Sequence, residues 1–132
     1  MDIALFLRAS TLALLLAVSL PVSVRAAATD YSFELVDAEL QSGAGVTLAV
    51  RLVDQRTGKS VPDAVIFASR LDMAPDGMET MATRIKSLPP SEPGVYLFDA
   101  DLSEGNWRLS LAAKVQGESE TVRSELALKV LP

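Results

Sequence analysis

The chain contains no histidine and no cysteine among its 132 residues. It therefore has no imidazole base, no thiolate nucleophile, no disulfide and no soft anionic metal ligand. Catalytic triads that use histidine, and zinc sites built from histidine and cysteine, are excluded. Acid–base catalysis by paired carboxylates stays open in principle, but the Asp and Glu residues are scattered along the chain, which is typical of surface carboxylates. We predict that the protein is not an enzyme.

The sequence also lacks any cluster of basic residues. Its 12 Lys and Arg residues are outnumbered by 17 Asp and Glu residues, and the formal net charge is −5 at pH 7. Nucleic acids present closely spaced phosphates and favour a basic protein surface. A nucleic-acid partner is therefore not expected, and solubility is a sufficient explanation of the acidity.

The N-terminal part of the chain has the pattern of an export signal. Residues 9–20 form a run without charge, which Pro21 interrupts. The segment Ala26–Ala28 supplies small residues of the kind that signal peptidase accepts. A membrane-spanning helix needs about 20 apolar residues, so this run is short. We predict a cleaved signal peptide over residues 1–28, a mature domain over residues 29–132 and a periplasmic location; an uncleaved membrane anchor is the alternative.

After residue 28 the sequence consists of short runs in which apolar and polar residues alternate, separated by Gly, Pro and Ser. This spacing is typical of a β-sandwich or β-barrel, and no convincing helical period follows residue 30. The runs predict an all-β fold, an immunoglobulin-like antiparallel β-sandwich of about seven strands. The seven predicted strands cover residues 31–36, 45–54, 64–73, 81–86, 94–102, 106–115 and 121–130.

The alternation also predicts which side chains form the core. Successive side chains of a strand point to opposite faces, so apolar residues two apart share one face. The only tryptophan lies in such a row and is expected to be a core aromatic rather than a ligand contact. The predicted core includes Leu48, Val50, Leu97, Trp107, Leu109 and Leu126.

All methionines except the initiator lie within nine residues, at Met73, Met78 and Met81. Between the first two, Ala74–Gly77 has the residues of a type I turn, with Pro at its second position and Gly at its fourth. Such a turn would make Met73 and Met78 cross-strand neighbours. On a regular strand Met81 would point to the opposite face from Met78, so we predict a local helical turn that brings it back.

Thioethers are neutral, soft ligands that suit Cu(I) and bind Zn²⁺, Mg²⁺ or Ca²⁺ poorly. Three of them on one face would hold Cu(I) reversibly, so we predict a metal site at Met73, Met78 and Met81. Spacing alone leaves a second interpretation open. Methionine also fills irregular gaps in a core and forms adaptable apolar contact surfaces.

Several motifs occur in an order that resembles the YtkA-like domain, which is akin to the periplasmic domain of FixH proteins. They are Thr57–Lys59, Val61–Ala64, Asp72–Met78 with Met81, Pro93–Phe98 and Gly105–Leu111. The resemblance implies an immunoglobulin-like β-sandwich, exported or tethered to a membrane, that is associated with copper handling. It points to Met73, Met78 and Met81 as ligands and to a membrane-bound or periplasmic copper-handling protein as partner.

Two features of this chain differ from those relatives. It has no histidine beside its methionines, and its N-terminus resembles a cleavable signal instead of a retained anchor. The alternative to a copper protein is a metal-free interaction module. Such a module would use the methionine turn to dock on a membrane transport or oxidase-assembly partner.

Overall fold

The computed structural model describes residues 28–132, which form ten β-strands and two short 3₁₀ turns. The strands are β1 (Tyr31–Leu35), β2 (Glu39–Gln41), β3 (Gly43–Asp54), β4 (Lys59–Ser60), β5 (Val65–Met73), β6 (Met78–Thr83), β7 (Ile85–Glu92), β8 (Val95–Leu102), β9 (Gly105–Lys114) and β10 (Thr121–Leu131). The 3₁₀ turns are Ala28–Asp30 and Ala74–Asp76. The predicted signal peptide lies outside the described residues except for Ala28.

The strands form two five-stranded sheets, which we call the first and the second sheet. The first has the order β1-β3-β8-β7, with β4 paired to β3, and the second has the order β2-β10-β9-β5-β6. Neighbouring strands are antiparallel except β2 and β10, which are parallel. The predicted all-β sandwich is confirmed. Among residues 28–132 no helix has the length and apolarity needed to cross a membrane.

The core lies between the two sheets and follows the predicted alternation. On β3, Leu48, Val50 and Leu52 are buried, and on β9 so are Trp107 and Leu109. The indole nitrogen of the tryptophan donates a hydrogen bond of 2.9 Å to the carbonyl of Ser103, so its one polar atom is satisfied inside the core.

Two predicted core residues differ from the expectation. Leu97 is only half-buried, and Phe98 next to it occupies the core position. Both faces of β8 are apolar here, so alternation alone is ambiguous; the pairing of Phe98 with Leu48 of β3 decides which face points inward. Leu126 is partly buried and packs against the edge of the core.

The predicted strand over residues 81–86 is wrong in its boundaries. The chain breaks at Arg84, and the two halves belong to β6 in the second sheet and β7 in the first. Where the chain crosses between the sheets, the hydroxyl of Thr83 donates a 2.8 Å hydrogen bond to the carbonyl of Asp101. Residues 87–92, which contain two prolines and lie between two predicted strands, continue β7. β7 is an edge strand and can accommodate proline.

Candidate metal site at the methionine turn

The turn between β5 and β6 has the predicted conformation. Ala74–Asp76 form a 3₁₀ turn, Pro75 supplies the restricted φ of its first turn, and the N–H of Gly77 donates to the carbonyl of Ala74 at 2.8 Å. Gly77 has φ 75°, a left-handed conformation that glycine adopts without steric cost. As a result Met73, the last residue of β5, pairs directly with Met78, the first residue of β6. The predicted cross-strand pair is confirmed.

The segment from Met78 to Met81 differs from the expectation. Residues 78–83 are extended, so the predicted helical turn between Met78 and Met81 is wrong. Instead β6 contains a bulge, because Ala82 pairs with Asp72 while Met78 pairs with Met73. Residues 79–81 have no counterpart on β5, and an odd number of extra residues reverses the alternation of side chains.

Strand register and alternation bear on which faces of the second sheet the methionines occupy. Cross-strand partners share a face, so Met78 lies on the face of Met73, which belongs to the core. Thr83 pairs with the core residue Leu71, so regular alternation would assign Met81 to the face of Thr83, but Met81 is one of the three residues of β6 without a partner on β5.

The three side chains differ in exposure. Met73 is 5% exposed and packs in the core, whereas Met78 and Met81 on the edge strand are 41% and 52% exposed. The terminal methyl of Met73 lies against the backbone of Gly105, and a Cβ at that position would overlap it. The set thus joins one buried thioether to two that solvent can reach.

Asp72, immediately before Met73, is the only charged residue fully buried in the described chain. Its Oδ2 accepts hydrogen bonds of 3.0 Å from Nε of Arg70 and from Nη2 of Arg108, and its Oδ1 accepts one of 3.0 Å from the N–H of Ala74. Burial raises the pKa of Asp72, but the hydrogen bonds from Arg108, Ala74 and Arg70 outweigh burial and lower it. The carboxylate is therefore ionised and fixes the start of the turn.

A second carboxylate connects the turn to β9. Asp76 accepts a 2.8 Å hydrogen bond from the backbone N–H of Asn106 and a 2.9 Å hydrogen bond from its side-chain amide. These two bonds, the backbone one first, lower the pKa of Asp76. The methionine turn is thus held from both sides by ionised carboxylates.

Sequence reasoning identified the methionines but missed the residues that hold them. Arg70 and Asp72 are two apart on one strand and could have been recognised as a same-face ion pair. Arg108 is 36 residues from Asp72, and Gly105 contacts Met73 only through the packing of β9 on β5. No signal within the segment itself points to either residue.

Hard metal ligands do not gather elsewhere in the described part of the chain. Residues 28–132 contain no group of three or more His, Cys, Asp or Glu side chains that could hold a metal ion.

The family model described as YtkA-like matches residues 25–112, which include the methionine turn, the whole first sheet and the second sheet except β10 and the end of β9. The chain belongs to the YtkA-like family. Among solved structures it is similar to the protein described as "ZirS C-terminal Domain", with 14% sequence identity and a TM-score of 0.45, over 96% of this chain and 88% of that one. No curated protein sequence matches the chain.

Proposed function

We propose that this YtkA-like domain binds Cu(I) reversibly through Met73, Met78 and Met81. The proposal is supported by the direct pairing of Met73 with Met78 and by the bulge in β6, which lies between Met78 and Met81 and interrupts the regular alternation of side chains between them. Thioethers select Cu(I) over harder ions, and they need no deprotonation, so such a site works across a wide pH range.

The charges around the turn favour a cation. Asp72, Asp76 and Glu79 contribute three carboxylates, and Arg70 and Arg108 contribute two guanidinium groups, which leaves one negative charge in excess. A monovalent cation held by neutral sulfurs gains from such a surrounding, although exposed charges are screened by salt.

The unequal exposure of the ligands suits a carrier. Two accessible thioethers, at Met78 and Met81, can take up an ion and pass it to a partner, while the buried Met73 anchors the site in the core. We infer a non-enzymatic, exported protein that works in the periplasm after removal of residues 1–28. Its partner would be a membrane-bound or periplasmic copper-handling protein.

Titration of the mature domain with Cu(I) under anaerobic conditions tests the proposal. The wild-type domain should retain one Cu(I) against a weak competing chelator and bind little Zn²⁺. Replacing Met73 and Met78 together by Leu should abolish retention, while the free energy of unfolding changes by less than about 1.5 kcal/mol because volume and apolarity are kept.

The matched control is Phe67→Leu, which alters another exposed apolar side chain on β5 away from the turn. It should leave Cu(I) retention unchanged. Failure of the wild-type domain to retain Cu(I), or full retention by the double variant, contradicts the copper proposal.

A metal-free docking module is the second candidate, and the distribution of exposed apolar side chains favours it. Four of the five large apolar side chains that are exposed within residues 28–132 lie on β5 and β6: Val65, Phe67, Met78 and Met81. β6 pairs only with Leu71–Met73 of β5, so the first part of β5 has one open side there. A membrane transport or oxidase-assembly component could add a strand at such an edge. This candidate predicts no Cu(I) binding before or after the methionine substitutions.

A further inference from the structure

The ion pairs beside the methionine turn connect both of its sides. Asp72 binds Ala74, the residue that follows Met73, through Oδ1. Through Oδ2 it binds Arg70, whose Nη2 donates a 2.8 Å hydrogen bond to the carbonyl of Glu79, the residue that follows Met78. The residues after both paired methionines are thus tied to one buried carboxylate.

The carboxylate of Asp72 also accepts a hydrogen bond from β9, a central strand of the second sheet. Arg108 of β9 donates to Oδ2 of Asp72 at 3.0 Å and lies directly opposite it in the strand register. Its Nε is buried and has no hydrogen-bond partner in the described chain. We call Arg70, Asp72 and Arg108 the clamp.

The Glu79 carbonyl that Arg70 binds belongs to the bulge of β6. Residues 79–81 have no partner on β5, so their backbone groups lack the usual ladder hydrogen bonds to that strand. A guanidinium is a planar fork that can bind a carboxylate and a carbonyl at the same time. Arg70 therefore supplies a hydrogen bond to the bulge, where the ladder between β5 and β6 is interrupted. The conformation of this bulge determines how Met78 and Met81 are oriented relative to each other.

We propose that Arg70 is a positioning residue of the methionine site: by joining Asp72 to the Glu79 carbonyl, it holds the bulge in the conformation that brings the thioethers together. The inference rests on the proposed function, because it concerns how tightly the same site holds Cu(I). Residues that orient metal ligands through hydrogen bonds without touching the metal have large effects on affinity.

An electrostatic effect of Arg70 and a positioning role of Arg70 predict opposite changes in Cu(I) affinity when this residue is replaced. Removing a positive charge near a bound cation should strengthen binding if only electrostatics matter. Loss of the hydrogen bond to Glu79 should instead weaken binding, because the exposed thioethers are no longer held beside Met73. The sign of the change in affinity thus separates a positioning role from a charge effect.

The experiment measures the Cu(I) dissociation constant of the mature domain for the wild type, Arg70→Gln and Arg70→Lys, by competition with a chromogenic chelator. Arg70→Gln should raise the constant by about 10- to 100-fold, as expected for a residue that supports metal ligands. Arg70→Lys keeps the charge but lacks the fork, so it should also weaken binding. The side chain of Arg70 is 54% exposed, so both variants should stay folded, as circular dichroism can verify.

Arg123→Gln is the matched control, because the side chain of Arg123 makes no hydrogen bond or ion pair with the described residues and is exposed on the second sheet. It should change the dissociation constant less than about twofold. A wild type that binds Cu(I), with an Arg70→Gln variant that binds equally well or more tightly, overturns the positioning role and leaves the copper proposal standing. A wild type that does not bind Cu(I) overturns both.

Discussion

Gly105 shows how a single residue position controls the packing of the candidate site. It has φ 143°, and a Cβ there would overlap the terminal methyl of Met73 and approach Oδ2 of Asp76 to 3.0 Å. The contact joins the first residue of β9 to the last residue of β5. The space occupied by the thioether of Met73 therefore exists because residue 105 has no side chain.

We expect Gly105→Ala to be more destabilising than Gly58→Ala. Both glycines have positive φ, so both variants carry backbone strain, but nothing lies within 4 Å of a Cβ at Gly58. Gly105→Ala should lower the free energy of unfolding by about 1–3 kcal/mol more than Gly58→Ala does, which is typical of forcing extra volume into a packed region. Urea unfolding of both variants measures the difference. An equal decrease in the free energy of unfolding for the two variants would show that Met73 moves aside freely.

Met73 contributes to the core as well as to the proposed site. Its side chain is buried with Leu71 and Trp107 in the core cluster, whereas Met78 and Met81 are exposed. A flexible thioether can fill the irregular space under Gly105 and still present its sulfur toward a neighbouring strand. The two interpretations of the methionines that the sequence left open are therefore compatible at this position.

At the scale of secondary-structure elements, we expect Asp72 to make the β5–β6 turn sensitive to acid. Its pKa is raised by burial but lowered further by hydrogen bonds from Arg108, Ala74 and Arg70, so in the folded protein it lies below its ordinary value of about 4. A carboxyl group whose pKa is lowered in the folded protein contributes stability at pH values above its pKa in the unfolded protein. That stabilisation is lost as the pH falls through the folded-state value.

We therefore expect Asp72→Asn to be less stable than the wild type at pH 7. The difference in the free energy of unfolding between the two proteins should narrow as the pH falls below about 4. Denaturant unfolding between pH 7 and pH 2 measures this difference. Asp54→Asn is the comparison variant. The pKa of Asp54 is also lowered, first by its hydrogen bond with Arg56, but Asp54 is the last residue of β3 and Arg56 lies in the turn that follows, away from the β5–β6 turn. A gap between Asp72→Asn and wild type that is constant with pH would mean that the charge of Asp72 does not stabilise the turn.

The edge strands β7 and β6 differ in how far they discourage pairing with another chain. β7, an edge of the first sheet, contains Pro89 and Pro90, which cannot donate ladder hydrogen bonds and so discourage further pairing. β6, an edge of the second sheet, has no proline between Met78 and Thr83 and exposes both methionines. The candidate site thus occupies the edge that is more open to contact.

At the scale of the whole molecule, the domain is stabilised by one core between two sheets and contains no cysteine. A domain of about 100 residues can bury enough apolar surface to fold without disulfides. The fold therefore does not depend on the redox state of its compartment. Such a domain can function in an oxidising compartment without the risk of wrong disulfide pairing.

Export is the prediction that concerns the whole chain. Because the uncharged run at residues 9–20 is short and Ala26–Ala28 provides cleavage sites, expression of the full chain should yield a periplasmic protein that begins between Ala27 and Thr29. Intact-mass measurement of a periplasmic extract identifies the first residue. Recovery in the membrane fraction with the N-terminal segment retained would establish the uncleaved anchor instead.

The sequence by itself determined the features that depend on neighbours along the chain. Alternation of apolar residues predicted the all-β sandwich, and Pro75–Gly77 predicted the turn that pairs Met73 with Met78. Turn chemistry and strand period are local properties, so they can be read from a few consecutive residues.

Only the tertiary structure decided what surrounds the methionines. The bulge in β6 between Met78 and Met81, the bond from Arg108 to Asp72 and the space for Met73 beside Gly105 all depend on how β5 pairs with β6 and β9. Strand register is set by packing against elements distant in sequence, and a shift of one residue moves every side chain to the other face. The local sequence placed the methionines near one another along the chain, and the register of the sheet determined that Met73 pairs with Met78 while Met81 has no partner on β5.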